Sequence, residues 1–218
     1  MTQQRQRIMF AMAALLLSAV PAVAQLSRQE QSLLLEARNG RAERVAALLE
    51  QGVNVNARDS RGENALIQAI NRRHSAVVEV LLEYNPEVCE TALHRGAVRS
   101  DPDIFSRLVA LAENPAMEGQ QGFLHAAFVG RTENVAILLD AGVSVDSIHA
   151  TNGRTAVMQA LDQARIDTVE LLIARGADLN ALDPNGRSVL SFALGSEEMT
   201  DQQRSAMAQR LREAGARE

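Results

Sequence analysis

The stretch Val169-Glu170-Leu171-Leu172-Ile173-Ala174-Arg175-Gly176-Ala177-Asp178-Leu179-Asn180-Ala181 decides the fold. A short apolar run is closed by a glycine, the residue that ends a helix in the left-handed region with least strain. A polar turn follows. The ending returns as Val53-Asn54-Val55-Asn56-Ala57, and the apolar pair Leu172-Ile173 returns as Leu48-Leu49, Leu81-Leu82 and Leu138-Leu139, with Leu108-Val109 as a weaker member. Seventeen residues before each pair a second block starts, at Gln31, Asn64, Thr91, Gln121 and Thr155; a sixth starts at Ser188. These starts are 33, 27, 30, 34 and 33 residues apart. A period in this range means a stack of similar supersecondary units. One unit cannot bury its own apolar face. Several stacked units make a continuous core and a long surface.

Local signals agree with two short helices per unit. Val77, Val78, Val80, Leu81 and Leu82 give a wide apolar face within Ala76–Leu82. Gly52, Gly142 and Gly176 follow the leucine helices, and Gly40 and Gly130 fall between the two helices of a unit, where a tight turn is needed. Ser27-Arg28-Gln29-Glu30 reads as a capping box opening the first helix. Asp183-Pro184-Asn185-Gly186 reads as a turn at a loop tip.

Thr91-Ala92-Leu93-His94 resembles the Thr-Pro-Leu-His start of the ankyrin repeat family. Asn64-Ala65-Leu66-Ile67, Thr155-Ala156-Val157-Met158 and Ser188-Val189-Leu190-Ser191 are degenerate copies, and Val169–Ala181 is close to the family's second-helix pattern. The resemblance covers nearly all of Ser27–Glu218 and implies an all-α solenoid of about six helix-turn-helix units with finger loops of varying length. There are departures. The family's proline is missing from every unit. The interval of 27, with Asn85-Pro86 in place of Gly-Ala, leaves little room for a finger between the second and third units. In Leu124-His125-Ala126-Ala127 the histidine is one place late, and Gly215-Ala216 comes six residues late, which predicts an insertion within Gly195–Gln203.

The first 24 residues stand outside the repeats. Arg5 and Arg7 precede the apolar stretch Ile8–Val20, and Ala22-Val23-Ala24 precedes Gln25. This is the pattern of a secretory signal peptide, and it predicts cleavage after Ala24, a periplasmic protein, and one ankyrin domain over residues 25–218. The apolar stretch is 13 residues, short of the ~20 that span a bilayer, so no stable membrane insertion is expected after cleavage. Without residues 1–24 the chain has 20 arginines against 27 acids, a net charge of −7, which argues against nucleic-acid binding.

All 22 basic residues are arginine. Without lysine there is neither a Schiff base nor a P-loop. Cys89 is the single cysteine, which excludes an internal disulfide and reads as a small packing residue at the junction of the second and third units. The histidines at 74, 94, 125 and 149 show no metal-ligand spacing, and no serine lies in a Gly-x-Ser-x-Gly elbow. His74 and His94 read as structural, with His94 tying neighbouring backbone as the resemblance implies. His149 reads as a solvated finger residue. Phe105 and Phe192 read as core, and Phe128 stands between repeat packing and an exposed anchor. The expectation is a protein without catalysis, cofactor or metal.

Ankyrin proteins bind partners through finger tips and the exposed ends of their first helices. Carried over by position, that surface takes in Arg61, Arg72, Arg99, Phe128, Arg154, Asp162 and Arg187 as the candidate partner-binding residues. With Arg38 it holds six arginines against two acids, Glu63 and Asp162. Arginine's planar fork suits carboxylates, so the expected partner is a protein presenting an acidic segment. The alternative is that arginine fills any solvated site in a chain without lysine. The expected role is a scaffold or protective partner, as in stress defence. The alternative role is an immunity-type inhibitor that occludes a toxin's or enzyme's active site.

Overall fold

The computed structural model describes residues 26–217. The stretch read as a signal peptide, with its junction at Ala24–Gln25, lies outside them.

Thirteen helices form among the described residues, twelve of them in six hairpins. The pairs are α1 (Arg28–Arg38) with α2 (Ala42–Glu50), α3 (Ala65–Arg72) with α4 (Ser75–Leu82), and α5 (Glu90–Arg99) with α6 (Pro102–Leu111). A short α7 (Pro115–Glu118) precedes α8 (Gln120–Val129) with α9 (Thr132–Asp140), then α10 (Ala156–Asp162) with α11 (Ile166–Ala174), and α12 (Val189–Gly195) with α13 (Asp201–Glu213). The first helices pack in one row, α1 on α3, α3 on α5, α5 on α8, α8 on α10 and α10 on α12. The second helices α2, α4, α6, α9 and α11 form a parallel row. The expected six-unit solenoid is therefore present.

The repeated apolar positions make the core. Leu33, Leu66, Leu93, Leu124, Val157 and Leu190 come from the first helices, and Leu81, Leu108, Leu138 and Leu172 from the second; all are buried. Helix starts are capped by side chains, as at Asn64, Thr155 and Ser188, each accepting from the backbone three residues on. Ser27 and Glu30 close the expected capping box.

In units one, two, four and five the turn between the two helices uses a left-handed residue. Gly40 supplies it at φ 77°, and a β-carbon there would lie 2.7 Å from the His74 ring. His74 fills that space because its Nε2 meets the Arg38 carbonyl at 3.1 Å. Arginines do the same elsewhere. Arg131 Nε donates to Val98 O at 3.1 Å, Arg165 Nε to Phe128 O at 3.3 Å, and Arg99 to Asn71 O at 3.1 Å. Each satisfies a carbonyl that the end of the preceding first helix leaves open.

Three fingers carry isolated bridges, Arg58↔Asn64, Ile148↔Thr155 and Leu182↔Ser188. The short second-to-third interval has none, and α7 takes the finger's place between the third and fourth units. Nothing in the repeat period signalled α7. Asn114 caps it, Pro115 starts it, and the buried Gly119 then lets the chain pass within contact of Leu138 and Val143. The expected insertion is the loop 196–200, where Arg204 donates to the carbonyls of Ser196 at 2.7 Å and Met199 at 2.9 Å. Arg210 and Glu170, 3.0 Å apart, tie α13 to α11.

Candidate functional site

The face made by the first-helix ends and the fingers holds three polar stations. The first is a cleft of about 590 Å³ across units one to three. Its walls are Arg38 from α1, Asp59, Arg61 and Glu63 from the first finger, Gln68, Asn71 and Arg72 from α3, and Arg95 from α5. Asp59 is consumed by the finger itself. One carboxylate oxygen accepts from the N–H groups of Arg61 at 2.9 Å and Glu63 at 3.0 Å, and the other from Gln68 at 3.1 Å. Glu63 pairs with Arg95 at 3.4 Å, and Arg95 also donates to Asn71 at 2.7 Å. Four arginines thus face two acids, and among the described residues Arg38, Arg61 and Arg72 take no ion-pair partner.

The second station lies across units three to five, a cleft of about 280 Å³ walled by His94, Gln121, His125, Phe128, His149 and Gln159. His94 Nε2 and His125 Nδ1 are 2.9 Å apart. The late position of His125 brings this about, so His94 bonds a side chain rather than the neighbouring backbone expected for it. Burial, then His125 and Arg95, hold His94 below the ordinary imidazole value against the pull of Glu90. Burial, then Arg99 and His149, do the same to His125. Phe128 is half-buried, its ring 6.4 Å from that of His125.

His149 is not simply solvated. Its Nδ1 accepts the Thr151 N–H at 3.3 Å, and its own N–H donates to Arg154 O at 2.9 Å. Asp59 and Asp183 make the matching bonds in the other two fingers. His149 therefore occupies the finger's aspartate position.

The third station is closed on itself. Arg154 pairs with Asp162 at 3.3 Å and Arg187 with Asp183 at 2.9 Å. Both guanidiniums lie over the buried Phe192 ring, 4.9 and 4.4 Å from its centre. Burial raises the Asp183 carboxyl, and the N–H groups of Arg187 and Asn185 with the Arg187 guanidinium outweigh it, leaving a net lowering.

Of the candidate residues, then, Arg61 and Arg72 share the first cleft, Phe128 stands in the second, and Arg154, Asp162 and Arg187 surround Phe192. Arg99 is exposed but holds the Asn71 carbonyl. Arg95 and the association of three histidines were not foreseen. The finger pattern could have shown His149 to be an aspartate substitute, but its finger is one residue longer than the others and hides the alignment. No group of three or more His, Cys, Asp or Glu among the described residues is arranged to hold a metal ion, and no helix among them is long and apolar enough to cross a membrane.

A family model described as ankyrin repeats in three copies matches residues 11–92, 33–147, 93–183 and 123–203. Mouse B-cell lymphoma 3 protein homolog is 27% identical over 127 residues, 58% of this chain and 27% of its own length. The rice protein XBOS32, named a probable E3 ubiquitin-protein ligase, is 31% identical over 150 residues, 66% of this chain and 30% of its own. The phosphocholine transferase AnkX of Legionella pneumophila is 23% identical over 145 residues, 66% of this chain and 15% of its own. The chain spans less than a third of the length of these curated relatives. The ankyrin repeat domain of Bcl-3 superposes with a TM-score of 0.69 at 21% identity, over 85% of this chain and 86% of that domain. Ankyrin repeats mediate protein–protein interaction, and the fold is generally a non-catalytic binding scaffold. With the family model matched through most of its length, the chain belongs to the ankyrin repeat family.

Proposed function

We propose that this is a non-catalytic binding protein of the bacterial periplasm, and that it holds an acidic segment of a partner protein across its first cleft. The charge imbalance there supports the reading. A chain of net charge −5 gathers four arginines against two acids in one open cleft, with Arg38, Arg61 and Arg72 unpaired among the described residues. Such an arrangement steers and seats carboxylates. Arg5, Arg7, the apolar stretch Ile8–Val20 and Ala22-Val23-Ala24 support export. The role we assign is a scaffold or protective partner in stress defence.

Capture from a periplasmic extract tests this. The intact mass of the exported protein should correspond to a chain starting at Gln25. The wild type should retain a specific protein that the combined Arg38→Ala, Arg61→Ala, Arg72→Ala variant loses. Full-length protein confined to the cytoplasm, or equal retention by the folded variant, would refute it. A captured partner that is a toxin or enzyme, silenced when bound, would turn the role from protection to immunity-type inhibition.

A further inference from the structure

Three of the chain's four histidines wall one cleft with Phe128 and Gln159. At about 280 Å³ it far exceeds the ~10–15 Å³ that one water requires, so it has room for a side chain. Gln159 is 7% exposed, and its Nε2 has no hydrogen-bond partner. A buried donor without an acceptor is a standing cost, removed by whatever brings an acceptor to it.

The imidazoles add donors. His149 accepts the Thr151 N–H on Nδ1, which puts the proton of the neutral ring on Nε2. Within the His94–His125 pair one ring donates to the other, so in either tautomer one outer end of the pair carries an N–H. The titratable and charged groups acting on these rings are His125, Arg95 and His149 at His94, with Glu90 the opposing acid there, and Arg99 and His149 at His125. The cleft thus offers the His149 N–H, one outer N–H of the histidine pair and the unpartnered Gln159 Nε2 as donors, and is flanked by the positive charge of Arg95 and Arg99.

We infer that the second cleft is a carboxylate subsite: one Asp or Glu side chain of the acidic segment enters it, accepts from Gln159 Nε2 and the imidazole N–H groups, and packs its methylenes on Phe128. The inference rests on the acidic-segment reading and extends it from the arginines to units three to five. The distance allows it. Two helix layers at about 8–10 Å each separate the clefts, and eight extended residues reach about 26–29 Å. The bound carboxylate favours protonated imidazole, so binding takes up protons and tightens as the pH falls from about 8 to 6, where the acidic segment stays ionised.

The test is calorimetric titration of residues 25–218 with an octaglutamate peptide, paired with the imidazole titrations of His94 and His125 by NMR. His149→Asp gives a clean variant. Aspartate serves the same turn in the other two fingers, so the fold is kept, but a donor becomes a repelling carboxylate. Gln159→Met removes the buried donor at similar volume. The expected result is an affinity about tenfold higher at pH 6 than at pH 8, imidazole values that rise on binding, and an affinity at least tenfold lower for His149→Asp. Binding that survives both variants and is lost only in the combined Arg38→Ala, Arg61→Ala, Arg72→Ala variant would overturn the subsite and leave the arginine cleft standing. Failure of the wild-type protein to bind octaglutamate would overturn the acidic-segment reading, and the subsite with it.

Discussion

The two ends of the face made by the first-helix ends and the fingers use the same residue type in opposite ways. In the cleft of units one to three, four arginines meet two acids and three of them have no ion-pair partner among the described residues. Around Phe192, two arginines meet two aspartates and lie on an aromatic ring, so the local charge is zero and both cations are engaged. Elsewhere Arg99, Arg131 and Arg165 are ties to the carbonyls of the preceding unit. A count of arginines on one face thus overstates the surface open to a partner. At the first end three arginines are left without an ion-pair partner among the described residues, and at the other the arginines consolidate the last units.

If that division is right, stability and binding should separate along the solenoid. Phe192→Ala should have the largest effect on folding. It empties a buried aromatic site and removes the platform beneath Arg154 and Arg187, and should destabilise by about 3–5 kcal/mol in denaturant unfolding. Arg154→Ala and Arg187→Ala should each destabilise by about 0.5–2 kcal/mol, the range of a cation over an aromatic face. No change in midpoint for either would mean that the last station is as open as the first.

The clefts should also separate by pH. Folding holds His94 and His125 below the ordinary value of 6.5, so the folded state binds fewer protons than the unfolded chain. Their contribution is fully present above about pH 6.5 and is lost as the pH falls through the lowered values. Replacing both with phenylalanine should flatten that part of the stability profile, while Arg61→Ala should leave it unchanged. Smallest of all, Arg61→Ala and Arg72→Ala should shift stability by less than about 0.5 kcal/mol, since both side chains are exposed and unpaired.

Much of the fold was legible because the core repeats. Leucine pairs, cap residues and turn glycines act within one unit, and a period near 33 residues displays them side by side. The short helix α7 escaped because it belongs to no repeat, although Asn114-Pro115 carries a helix-start signal. The site was less legible because its contacts join neighbouring units. Arg99 finds Asn71 O 28 residues away, and His94 finds His125 31 residues away. Which arginine is spoken for depends on which side chain the adjacent unit presents. Arg61 at a finger tip could be placed from position alone, whereas Arg154 required the geometry of Phe192 in the next unit. His149 was hidden by its longer finger.

The unpaired arginines of the first cleft carry the proposed binding of an acidic segment. Its most direct test is the affinity of the wild-type chain and of the combined Arg38→Ala, Arg61→Ala, Arg72→Ala variant for octaglutamate, measured at low and high salt alongside denaturant unfolding of both. The variant should unfold within about 1.5 kcal/mol of the wild type and bind at least tenfold more weakly, and the wild-type association rate should fall as salt rises. Equal affinity in a folded variant, unaffected by salt, would contradict the claim that this cleft binds an acidic partner.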